Sequence, residues 1–206
     1  MKMKKAAMFG LDARIALAIF GALSVISGAA LYSAIQDAKV TSVITDMREV
    51  TKAVEQFYLD TGELLSLSPQ TPNYDLEATD LTTDPGLDGW SGPYLSLPED
   101  PTANSYAFLY PRLGTTAKMF ISYRRSDADW GSFTLTDMGC YKTTASCSIV
   151  VGMRNGGLDL YKAIENEIDG TANPGDDNFA GKITYNATFL HWSVDVPFPP
   201  ALSSNS

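Results

Sequence analysis

The sequence predicts an α+β protein: a long N-terminal helix, apolar in its first half and amphipathic in its second, packed on an antiparallel β-sheet head. Three observations predict it. Ile15 to Ile35 runs for 21 residues without a charge. Val40, Val43, Ile44, Met47, Val50, Val54, Phe57 and Tyr58 recur at spacings of three and four, which is one stripe of a helix. The rest of the chain holds several short β-prone runs separated by Gly, Pro and Asp.

The uncharged run is long enough to span a bilayer as a helix. Lys2, Lys4, Lys5 and Arg14 precede it, so the positive-inside rule puts the N-terminus in the cytoplasm and the residues beyond about 36 outside. Gly28-Ala29-Ala30 is small enough for a signal peptidase. The run nevertheless exceeds the ~7 to 15 residues of a secretory h-region, and helical patterning continues straight out of it. Beyond the run, Asp46, Arg48, Lys52 and Glu55 take the surface left by the apolar stripe. No Pro interrupts residues 11 to 61, and Gly62 follows Asp60-Thr61 as a stop. A helix of about 50 residues would be on the order of 75 Å long.

With 206 residues and 45% hydrophobic content the chain can bury a core of its own. The formal net charge of −9 becomes −12 without Lys2, Lys4 and Lys5. Such a surface repels nucleic acid and anionic lipid, so no nucleic-acid partner is expected, with Arg124-Arg125 the local basic exception. Cys140 and Cys147 are the two cysteines, and with one histidine they make a poor zinc set. In an exported head the pair reads as a disulfide closing a short loop, worth about 2 to 3 kcal/mol on the chain-entropy argument.

In the head, Ser66 to Gly92 has no periodicity and reads as an extended connection with short turns. Strands are predicted at Ala117 to Arg124, Ser132 to Thr136, Ser148 to Gly152 and, longest, Ile183 to Val196. A short helix is predicted over Leu158 to Ile168, ended by Asp169-Gly170. The Pro/Ser-rich residues 197–206 read as a flexible tail. Asn186-Ala187-Thr188 is a sequon inside a predicted strand. His191, between Leu190 and Trp192, reads as a sheet residue. No nucleophile and base are recognisably placed together, so no enzyme is expected. Asp169, Asp176, Asp177 and Asn178 lie among small turn-forming residues, and an oxygen-only set on a Gly-rich loop suits Ca²⁺. The EF-hand spacing is absent, and an ordinary Asx-rich turn is the competing reading.

Lys4-Lys5-Ala6-Ala7 followed by Met8-Phe9-Gly10-Leu11-Asp12 resembles the leader and mature start of the type IV pilin and type II secretion pseudopilin superfamily. A second stretch is similar to the major-pseudopilin pattern: Gly89-Trp90-Ser91-Gly92-Pro93-Tyr94-Leu95, then Leu97-Pro98-Glu99-Asp100-Pro101, then a first strand at Tyr106 to Tyr110. The resemblance implies a pilin-like fold divided into a leader (1–7), a long helix (8–61, with 15–35 the membrane or filament-core part) and an exported head (62–196). It implies prepilin-peptidase cleavage between Ala7 and Met8, N-methylation, and Asp12 as the acidic fifth residue of the mature chain, pairing with a neighbour's α-amine.

Two departures from the family pattern stand here: Ala7 where it has Gly, and Asp12 where it has Glu. Cleavage after Gly10 keeps the Gly but puts Ile15 at the acidic position. A carboxylate at the membrane edge of an apolar helix is costly without a partner, which favours the first register. Alternatively, Asp12 complements the helix dipole while Arg14 snorkels to the headgroups.

Implied partners are further copies of the chain, other pilins or pseudopilins, the inner-membrane assembly platform and prepilin peptidase. The implied location is the bacterial inner membrane, single-pass, with the head periplasmic. Calcium is the one cofactor implied, since some pseudopilins bind it in a late acidic loop. The competing function is an uncleaved, membrane-anchored ligand-binding module using Trp90, Trp130 and the aromatic strands.

Overall fold

The computed structural model describes residues 4–70, 75–100, 105–125, 147–170, 181–185 and 188–194. Helix α1 covers Lys4–Thr61, and the chain divides into two compact units, Met1–Val43 and Ile44–Ser206.

In the first unit the described residues are helical, and Ile15, Leu17, Ile19, Phe20, Leu23, Val25, Ile26, Leu31 and Tyr32 are all exposed. A window of mean hydropathy 2.1 within Asp12–Thr61 makes the helix long and apolar enough to cross a membrane. The hydroxyl of Ser24 donates to the Phe20 carbonyl at 2.8 Å, one turn back, so it carries no unmet polar demand into an apolar medium.

The second unit is built on Ile44 to Thr61 and a five-stranded sheet. Of the predicted stripe, Val43, Ile44, Met47, Val50, Val54 and Phe57 are buried, joined by Ala53, while Val40 and Tyr58 are half-buried. Gly62 ends the helix with φ +72° and donates its amide to the Tyr58 carbonyl at 2.8 Å, a conformation that glycine adopts without Cβ strain. The strands are β1 (Ala107–Leu109), β2 (Lys118–Arg125), β3 (Cys147–Arg154), β4 (Ile183–Tyr185) and β5 (Phe189–Val194). Their order is β1-β2-β3-β5-β4, antiparallel throughout. Helix α2 (Leu158–Asp169) lies between β3 and β4 in the chain, runs one residue beyond the predicted Ile168, and is followed by Gly170 in the left-handed region.

Register places Ile121, Val151, Trp192 and Ile183 in one row across the sheet. The Arg48 guanidinium lies 5.7 Å from the Trp192 ring centroid, which marks this as the face toward α1. The next row carries Phe120, Gly152, His191 and Thr184 on the opposite face. There the Phe120 ring occupies the space of a missing side chain, since a Cβ on Gly152 would meet it at 2.2 Å.

Two expectations are corrected. Ile183 to Val196 is not one strand but the hairpin β4–β5, with Ile183 opposite Trp192 and Tyr185 opposite Leu190. In chain order the sequon falls after Tyr185, the last residue of β4, and before Phe189, the first of β5, and its residues 186 and 187 lie outside the described residues. The stretch 66–92 is more ordered than an extended connection. It contains a 3-10 turn (Ala78–Leu81), the bridge Leu67 to Leu76, and an antiparallel bridge from Asp75 to Ser122 of β2. The strand predicted at 132–136 and the tail lie outside the described residues.

Candidate functional site

The Gly89-to-Leu95 loop is fastened to the C-terminal end of α1. Gly89, at φ +85°, lies so close to the helix that a Cβ would stand 2.2 Å from the Asp60 carbonyl oxygen. The Ser91 hydroxyl donates to the Asp60 carboxylate at 2.5 Å, and this bond is the main cause that lowers the Asp60 pKa. The Ser91 amide donates to the Tyr94 hydroxyl at 2.8 Å, and the Tyr94 ring meets Trp90 and Phe57 edge-on at centroid distances of 5.6 and 5.9 Å. Trp90 Nε1 donates to the Asp80 carbonyl at 3.0 Å. Trp90 and Tyr94, both half-buried, therefore fasten the loop to the head through these contacts.

The Leu-Pro-Glu-Asp-Pro turn is fastened by charge. Asp100 pairs with Lys118 of β2, their side chains 1% and 19% exposed. Asp46 of α1 accepts from the Tyr110 hydroxyl and pairs with Arg112 at 3.2 Å. Sequence periodicity places Asp46 on the outer surface of the helix; the partner that buries part of it comes from 64 residues away, which no local pattern reveals.

Asp12 is exposed on the apolar helix. Ala7 and Met8 lie within the helical backbone of α1, and Cys147 opens β3. Cys140, Asp176, Asp177 and Asn178 lie outside the described residues. Asp169, by contrast, is well defined at the end of α2. Its two carboxylate oxygens accept the amides of Lys182 at 3.2 Å and Ile183 at 2.9 Å, bringing the two ends of the 170–181 segment together. One turn earlier Glu165 is buried. Burial raises its pKa, a hydrogen bond from Tyr185 opposes this, and the Asp169 charge adds to it. Sequence reasoning missed Glu165, a charged residue whose helical position alone does not declare a buried environment. Among the described residues no cluster of three or more His, Cys, Asp or Glu is placed to hold a metal ion.

Two clefts flank α1 in this unit. One of about 440 Å³ is lined by Arg48, Glu167, Ile168, Asp169, Lys182, Trp192 and Ser193. Another of about 390 Å³ is lined by Glu49, Lys52, Ala53, Gln56, Tyr94, Leu95 and Ser96.

A long apolar N-terminal helix followed by an α+β head with an antiparallel sheet defines the pilin-like class. Within that class, a family model described as type II secretion system (T2SS), protein G matches residues 30–130, from the apolar helix through the loop, the Asp100 turn and β2. That match supports the pilin and pseudopilin superfamily for this chain. That family is structural rather than catalytic. Comparison with curated proteins and with solved structures finds no match.

Proposed function

We propose that the chain is a filament subunit of a type II secretion-like system, anchored in the bacterial inner membrane by its apolar helix until assembly buries that helix among copies. The observation that carries this is the exposed apolar run of the first unit, in a chain whose second unit closes its own core. A helix of this kind needs lipid or other helices around it, because its exposed side chains have a large transfer free energy to recover.

In this reading prepilin peptidase cuts between Ala7 and Met8, and the new N-terminus is methylated. Asp12 then pairs with the α-amine of an adjacent subunit and so sets the axial register. The head is periplasmic, and the partners are copies of the chain, other pseudopilins and an inner-membrane assembly platform. Cys140 and Cys147 form a disulfide in that oxidising compartment. Asp169, with Asp176, Asp177 and Asn178, supplies oxygens for calcium. After accepting one amide each, both Asp169 oxygens retain acceptor capacity, which is compatible with that role.

The deciding experiment is the N-terminal mass of protein from its native membrane, with and without prepilin peptidase. A peptidase-dependent start at Met8 is expected. A start at Leu11 removes Asp12 from its role, and an intact Met1 sinks the processed-subunit reading in favour of an anchored module. Asp12→Ala should still insert in the membrane yet fail to assemble, so normal incorporation would refute the pairing.

A further inference from the structure

Among the described cations of the head, Arg112 and Lys118 are taken by Asp46 and Asp100. Arg48 and Lys52, four residues apart and exposed on α1, form no ion pair among the described residues. Each opens onto one of the two clefts, Arg48 beside Glu167, Asp169 and Lys182, and Lys52 beside Glu49. Stacking on Trp192 orders the Arg48 guanidinium in advance, which lowers the entropy lost when it meets a carboxylate.

The same unit exposes a matching acidic element. Asp84 and Asp88 are exposed in the 83–89 loop, which is stiffened by the Gly86 amide donating to the Asp84 carboxylate at 2.8 Å and by the Trp90 amide donating to the Leu87 carbonyl at 3.3 Å. Gly89 seats this loop against Asp60, 8 and 12 residues along α1 from Lys52 and Arg48.

We propose that Arg48 and Lys52 receive the Asp84–Asp88 loop of a second copy of this chain. The inference rests on the filament reading and gives it a contact between heads. Because the two halves are different surfaces of one unit, the contact is head-to-tail and can repeat from copy to copy. In a chain of net charge −9, copies repel unless cations and carboxylates are brought face to face, so the pairing also selects one approach out of many.

The test uses the full-length chain in its native membrane and reads the fraction recovered in filaments. R48E/K52E is one variant. D84N/D88K is the other, in which the amide side chain put in place of the Asp84 carboxylate keeps an acceptor oxygen for Gly86. Each should lower the assembled fraction about tenfold at unchanged membrane level, since like charges would face each other. Combining all four changes should recover most of the tenfold loss, because the cation introduced at position 88 then faces the carboxylates introduced at positions 48 and 52 while position 84 is neutral. Zero-length cross-linking should join Lys52 to Asp88 of another copy. Wild-type-like assembly of either variant, no rescue in the combination, or cross-linking of Lys52 to a different protein overturns the docking. A wild-type chain that never polymerises overturns the filament reading beneath it.

Discussion

The carboxylate of Asp169, the last residue of α2, accepts the backbone amide of Ile183, the first residue of β4, at 2.9 Å. With the Lys182 amide on its other oxygen, it joins two ends that the sequence separates by 13 and 14 residues. Asp169→Ala leaves two amides without their charged acceptor and should cost about 1.5 to 3 kcal/mol, read from the urea midpoint. If the loop binds calcium, wild type should gain thermal stability when calcium is returned after chelation, and Asp169→Ala should lose that gain. An unchanged melting temperature in wild type would remove the loop as a metal site.

Asp100 and Lys118 make the sharpest stability prediction. Asp100→Ala leaves the lysine largely desolvated and unpaired, which should destabilise the head by about 3 to 5 kcal/mol. The double variant Asp100→Leu, Lys118→Met should recover much of the loss, since no charge then remains to be buried. Equal damage in the single and double variants would show that packing, not charge, dominates there.

Two glycines of one loop should respond differently. Gly86 and Gly89 share a left-handed backbone, φ +83° and +85°, but a Cβ on Gly86 meets nothing within 4 Å whereas one on Gly89 meets the Asp60 carbonyl. Gly86→Ala should cost about 1 kcal/mol from backbone strain alone. Gly89→Ala adds a clash with main chain and should cost distinctly more, at least about 2 kcal/mol, with the loop displaced from α1. Equal midpoint shifts would contradict the close approach.

The pH dependence follows from Glu165. Its folded-state pKa lies above the ordinary 4.5, so the ionised form costs stability at neutral pH. That cost is relieved as pH falls through the raised value toward 4.5. Glu165→Gln should therefore be more stable than wild type at pH 7, and the gap should close on acidification over that window. A gap that widens as pH falls would reverse the assignment. Asp80, raised first of all by burial, acts in the same direction.

Much of this can be read directly from residue order. The apolar run, the stripe from Ile44 to Phe57, the Gly62 stop and α2 are local periodicities, and local periodicity is what one-dimensional patterns encode. The β4–β5 hairpin is hidden from such patterns because Ile183 to Val196 is β-prone on both sides of the turn, and only pairing decides where a continuous β-prone run reverses.

The sequence by itself determined that this protein has an exposed apolar helix, an α+β head and an acidic balance, because these follow from composition and spacing. Only the tertiary structure decided which charges are consumed and which are left over. Asp46 meets Tyr110 and Arg112, Asp100 meets Lys118, Asp169 caps β4, and Arg48 rests on Trp192. Each of these contacts joins residues far apart along the chain, so it exists only once the sheet has set its register and brought them within reach.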